Sequence, residues 1–225
     1  QPGEWGRFKG LPTRRDVAEG LIDQGIAVLR QGGCMVNAAG YRWKNMIGPR
    51  ERRPPYQGWW YPHSSNGWGI FDFLNFCEAA GAQLVVNDYW RAAIDAGCDY
   101  VHLGQGDLDT ADMKAIRKAG LHVGISTHDH AELDRALSFD PDYVALGPIY
   151  PTILKQMPWA PQGLERIGEW KKAIGARPLV AIGGLTLERA LLCLQSGADS
   201  AAVVTDIVRS SDPEGRTKEW LDATR

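Results

Sequence analysis

The stretch Tyr100–Arg117, YVHLGQGDLDTADMKAIR, passes from a β-rich run through a Gly104-Gln105-Gly106 turn into a segment of helical period. Strand, glycine turn and helix in that order make one βα unit, the repeat of parallel sheets and barrels. A dinucleotide fingerprint also opens Gly-x-Gly after a strand, but it needs a third glycine three residues further on. Here that position is Asp109, and Asp107 precedes it, so carboxylates stand where a pyrophosphate would lie. The turn therefore presents an aspartate, and its glycines let the chain bend tightly enough to do so.

The same unit repeats on both sides. Apolar runs at Gln83–Asn87, Tyr100–Gly104, His122–Ser126, Tyr143–Gly147, Pro178–Gly184 and Ala201–Thr205 alternate with segments whose apolar residues fall three or four apart, several ending at Gly or Asp-Pro. A last helix is expected from near Pro213. Runs that are apolar at nearly every residue suit parallel strands buried on both faces. Six units in about 140 residues leave room for two more upstream, which predicts one α/β domain over residues 1–225, a single (β/α)8 TIM barrel. Upstream, RRDVAEGLIDQGIAVLRQ is expected to give a helix and a strand at Gly25–Arg30, and Ile70–Ala82 another helix.

Residues 31–75 are atypical. Tyr41–Trp68 holds four of the nine Trp, four Pro and five basic residues against one acid, with no period. Three readings stay open: a nucleic-acid-binding stretch, a lineage-specific lid, or a frame-disturbed sequence. The first is opposed by Pro49, Pro54, Pro55 and Pro62 and by the lack of repeats. The whole chain, with 25 Lys and Arg against 27 Asp and Glu, has a formal charge of -2 and offers no long-range attraction for nucleic acid or anionic lipid. The four cysteines form no Cys-x-x-Cys pair, and no apolar run approaches the ~20 residues of a membrane span. A soluble cytoplasmic protein is expected, free of nucleic acid and membrane, its self-association as a homo-oligomer left open.

In a parallel barrel the functional groups gather at strand ends. Those ends supply Asn87-Asp88, Asp107, Ser126-Thr127, Thr152 with Lys155, Gly183-Gly184 and Thr205. Asp88 and Asp107 on neighbouring strands, with Lys155 on the same rim, favour Mg²⁺ over two separate helix caps. The glycine pair followed by Thr205 suits a phosphate, because glycine lets backbone N–H groups approach its oxygens. His128, Asp129 and His130 at a helix start read as a capping turn rather than as metal ligands.

Taken together, VVNDYWRAAIDAGCDYVHLGQGDL, GISTHDHAELDRAL, DYVALGPIYPTILKQMPWAPQGLE, PLVAIGGLT and GADSAAVV resemble the thiamin phosphate synthase family in order and approximate spacing over residues 76–209. The resemblance implies a transferase joining hydroxymethylpyrimidine diphosphate to a thiazole phosphate, with thiamin phosphate and pyrophosphate as products. It implies that Asp88 and Asp107 hold Mg²⁺, that Asn87, Ser126 and Lys155 bind the diphosphate, with Ser126 and Lys155 serving catalysis, and that Thr152, Gly183, Gly184, Val204 and Thr205 hold the thiazole phosphate. The family's Pro-Thr-x-Thr-Lys appears as Pro151-Thr152-Ile153-Leu154-Lys155, one hydroxyl short, and its upstream Gln-x-Arg-x-Lys clamp has no counterpart that can be assigned. That gap keeps two alternatives in view: an isomerase of the related thiazole tautomerase type, and an inactive phosphate-binding barrel.

Overall fold

The computed structural model describes residues 6–23, 25, 27–31, 40–58, 62–152 and 159–224. Their order is α1 (Arg15–Asp23), β1 (Val28–Gln31), α2 (Ile70–Ala80), β2 (Gln83–Asn87), α3 (Trp90–Ala96), β3 (Tyr100–Leu103), α4 (Met113–Lys118), β4 (His122–Thr127), α5 (His130–Ser138), β5 (Tyr143–Leu146), α6 (Gly163–Ile174), β6 (Leu179–Ile182), α7 (Leu187–Gln195), β7 (Ser200–Ala202), α8 (Thr205–Val208) and α9 (Pro213–Thr224). Short 3-10 turns occur at Phe8–Gly10, Trp43–Met46, Arg50–Arg52 and Asp107–Asp109. Packing divides the chain into two units, Gln1–His102 with Asp112–His122, and Leu103–Ala111 with Val123–Arg225.

In the first unit β1 pairs parallel with β2, Arg30 opposite Val85, and β2 pairs parallel with β3, Asn87 opposite His102. In α2 the Asp72 carboxylate reaches back to the Gly69 N–H at 2.9 Å, and Gly81 ends the helix at φ 71°. This one-sided cap, from the helix's third residue back to the N-cap backbone, satisfies an N–H at the helix start. Asp72 also pairs with Arg50 at 2.5 Å and Arg53 at 2.7 Å. Burial opposes its ionisation, yet the Arg53 and Gly69 hydrogen bonds and the Arg50 charge hold its carboxyl below the usual range. The basic stretch is thereby fastened to the start of α2. Tyr41 and Met46 are buried there with Trp43, Tyr56 and Tyr89 packed against them.

In the second unit β4, β5, β6 and β7 pair parallel in chain order, with Ser126 opposite Ala145, Ala145 opposite Val180 and Ala181 opposite Ala201. Val144, Leu146, Leu179 and Ala181 are fully buried, beneath Ile167 and Trp170 of α6 and Ala190 and Cys193 of α7. This double burial is why the strands read as unbroken apolar runs. Asp129 caps α5 by accepting the Glu132 N–H at 2.9 Å, and Thr186 caps α7.

Seven parallel strands stand among the described residues, which makes this an α/β fold; the eight strands of the expected barrel are met in part. β6 and β7 are shorter than the runs Pro178–Gly184 and Ala201–Thr205 in which strands were expected, and Gly183 and Gly184 form a turn beyond β6. Val204 and Thr205 lie beyond β7, and Thr205 opens α8. The β6–β7 ladder ends at the pair Ile182–Ala202 because β6 runs into the Gly183-Gly184 turn, so the β-branched residues after Ala202 have no ladder to join.

Candidate active site

Gly183 and Gly184 lie at φ 97° and 66°, in the left-handed region open to glycine. A Cβ on Gly184 would stand 2.4 Å from the Pro151 carbonyl oxygen and 2.7 Å from that of Tyr150. The turn is thus pressed against the segment that leads from β5 to Thr152. The Ile149 and Tyr150 N–H groups donate to the Ile182 and Gly183 carbonyls at 2.9 and 3.0 Å, closing the approach.

A cleft of about 370 Å³ opens on this junction. Thr152, Gly184 and Thr205, three of the residues expected to hold a phosphate, line it together, and Thr186, Arg189, Asp206 and Arg209 complete its polar wall. Arg189 donates to the Gly184 carbonyl at 2.7 Å and lies 4.6 Å over the Tyr150 ring, which fixes its charge beside the turn. Asp206 does not cancel that charge, because its Oδ2 accepts from Arg216 Nε at 2.8 Å and from the Trp220 indole N–H at 2.7 Å. The cleft is left with two guanidinium groups and three hydroxyl-bearing residues, the chemistry that holds an oxyanion.

The second unit also places Asp107 and Ser126. The Asp107 carboxylate accepts the Gly104 N–H at 2.9 Å through Oδ2. It is not the cap of α4, since Asp112 takes that role by accepting the Ala115 N–H at 3.0 Å. Its neighbour Asp109 is paired with Arg135 at 2.5 Å, whereas Asp107 has no ion pair among the described residues. Ser126 is the penultimate residue of β4, and its carbonyl accepts Gln105 Nε2 at 2.8 Å. Thr127, next to it, is fully buried; its hydroxyl donates to the Ala145 carbonyl at 3.0 Å and accepts the Trp170 indole N–H at 2.8 Å. His128 is no metal ligand: it pairs with Glu132 at 2.6 Å and stacks on Trp159 with ring centroids 3.8 Å apart.

In the first unit Asn87 ends β2 and Asp88 follows with φ 67°, its N–H donating to the His102 carbonyl at 2.8 Å. Asp88 does not cap α3, whose N-cap position is Tyr89. A non-glycine residue held in the left-handed region at a strand end is the kind of local strain found where a side chain must be aimed. Lys155 lies outside the described residues. Among the described residues no three His, Cys, Asp or Glu side chains converge as a metal cluster.

Two residues of the cleft, Arg189 and Arg209, were not singled out in the sequence. Arg189 carried a usable signal, because a cation in the first turn of a helix opposes the helix dipole and is retained there for another purpose. A single Arg209 after a short helix carried none.

Fold and cleft together define a parallel α/β protein with a cationic, hydroxyl-lined cleft at its strand ends. The thiamine monophosphate synthase family model matches residues 71–207, more than half of the chain, and the chain belongs to that family. It is 65% identical to the thiamine-phosphate synthase of Rhizobium etli over 148 residues, 66% of this chain and 72% of that one. It is 51% identical to that of Neisseria meningitidis serogroup A over 144 residues, 64% and 70% of the two chains. Among solved structures, the thiamine phosphate pyrophosphorylase of Pyrococcus furiosus superposes with a TM-score of 0.65 at 18% identity, covering 96% of this chain and 91% of that one. The orotidine 5'-phosphate decarboxylase of Pyrococcus horikoshii gives 0.59 at 16% identity, covering 93% and 92%. At those identities the two structures speak for the fold alone. The family match begins after the basic, tryptophan-rich stretch, which lies outside it.

Proposed function

We propose that the chain is a Mg²⁺-dependent thiamin phosphate synthase on a complete barrel, and that the cleft at Gly184 holds the thiazole phosphate. The observation that carries the reading is the convergence of Thr152, Gly184 and Thr205 with Arg189 and Arg209 on one cleft. Arg189 and Arg209 bind the phosphate oxygens as charge-assisted donors, and the hydroxyls of Thr152 and Thr205 orient them.

The pyrimidine diphosphate is assigned from the sequence motifs to Asn87, Ser126 and Lys155, and Mg²⁺ to Asp88 and Asp107. Asp107 suits a hard cation: one carboxylate oxygen is fixed by the Gly104 N–H, and no Arg or Lys of the described residues pairs with it. Asp88 and Asp107 would hold the ion, which usually takes one or two protein carboxylates together with water and phosphate oxygens. Bound Mg²⁺ would offset the charge that grows on the leaving oxygens. Ser126 and Lys155 hold that diphosphate group as the bond from its oxygen to the pyrimidine methylene breaks. The group leaves with the electron pair, and the thiazole nitrogen, presented by the phosphate cleft, forms the new bond to the methylene carbon. No protein nucleophile is needed, in keeping with the lack of a Ser/His or Cys/His arrangement in the motifs. The setting is that of a soluble cytoplasmic enzyme; no described helix is long and apolar enough to cross a membrane.

The test incubates the purified chain with both substrates and Mg²⁺. Thiamin phosphate and pyrophosphate are expected, with loss of product on chelation or in Asp107→Ala. A chain that only isomerised the thiazole phosphate, or only bound it, would give no pyrophosphate.

A further inference from the structure

Gln105 stands at the centre of the turn that carries Asp107, half-buried. Its Nε2 donates to the Ser126 carbonyl at 2.8 Å and lies 3.4 Å from the Glu132 carbonyl. Both neighbours are acceptors, so the amide has one admissible orientation and Oε1 must face the other way. There Oε1 is buried without a hydrogen-bond partner among the described residues. A buried acceptor left in that state is costly, and in a native fold such a group commonly takes a hydrogen bond from water or a ligand.

The turn is also held from outside. Arg135 of α5 donates to the Gln105 carbonyl at 3.1 Å and pairs with Asp109 at 2.5 Å. One side chain therefore ties the Asp107 turn to the end of β4, where Ser126 stands, while the backbone around it is clamped by a second.

We propose that Gln105 is a positioning residue for the metal–diphosphate complex: Nε2 couples the Asp107 turn to Ser126, and Oε1, buried and unpartnered among the described residues, takes a hydrogen bond from water that holds the turn in place. The inference rests on the synthase reading and on Asp107 as a metal ligand. Coupling of this kind makes the metal and diphosphate contacts rise and fall together.

The test is titration calorimetry of the purified chain with Mg²⁺ and inorganic pyrophosphate, repeated for Gln105→Met, which keeps length and loses both contacts, and for Gln105→Glu, which sets a carboxylate against two carbonyls. Both variants are expected to bind magnesium pyrophosphate about tenfold more weakly, while the KM for thiazole phosphate stays within about twofold. Wild-type binding in folded variants, as judged by circular dichroism, would overturn the inference, as would equal losses at both substrates. If the wild-type chain itself failed to bind magnesium pyrophosphate, the metal assignment would fall first.

Discussion

Arg209 is exposed and, among the described residues, makes no side-chain hydrogen bond or ion pair, although it lines the cleft. A cation kept in that condition is available to an anion. Arg209→Gln is expected to raise the KM for thiazole phosphate by about tenfold or more with little change in the KM for pyrimidine diphosphate, because only one phosphate loses a charge-assisted donor. Steady-state kinetics with each substrate varied in turn checks this; parallel changes in both constants would place Arg209 elsewhere in the reaction. Gly184 gives a sharper case. Gly184→Ala sets a methyl group 2.4 Å from the Pro151 oxygen at a φ that alanine resists, so thiazole phosphate binding should be largely lost. Retained binding, read by competition with the product, would show that the turn opens without cost.

At the scale of elements, β4 and α6 are joined by Thr127, whose hydroxyl serves both the Ala145 carbonyl and the buried Trp170 indole. Thr127→Val keeps the shape and leaves the indole N–H unpaired, which should lower stability by about 1–3 kcal/mol in a urea titration. A loss near zero would mean that another acceptor reaches the indole. Much of this level was legible in advance. The run Gln83–Asn87 is β2 to the residue, and the helix expected over Ile70–Ala82 is α2 at Ile70–Ala80, because buried parallel strands and capped amphipathic helices write strong patterns. The strand expected at Ala201–Thr205 was overextended, since apolar β-branched residues do not reveal where a neighbouring strand stops offering hydrogen bonds. Thr152, Gly184 and Thr205, singled out in the sequence from strand order, line the cleft proposed for the phosphate. Its arginines were not singled out, since their role depends on how far a helix carries a side chain back toward a turn.

At the scale of the whole molecule, stability must follow His102, buried on β3. Burial, then the nearby Arg30 charge, pulls its pKa from 6.5 to about 3, so the fold holds the imidazole neutral. The unfolded chain takes up a proton below about 6.5 and the folded chain does not, so the stabilising effect is complete above that value and is lost as pH falls toward about 3. Between those limits this group alone gives a slope on the order of 1.4 kcal/mol per pH unit. Urea midpoints measured from pH 7 to pH 4 should fall more steeply for the wild type than for His102→Leu; equal slopes would mean that the imidazole is protonated in the fold. Phosphorus NMR of the chain with both substrates and Mg²⁺ should show the pyrimidine diphosphate signals replaced by pyrophosphate and the thiazole phosphate signal replaced by an equal amount of thiamin phosphate, only when all components are present. An unchanged spectrum over many hours, from folded protein that still binds thiazole phosphate, would contradict it and leave a binding protein in place of a synthase.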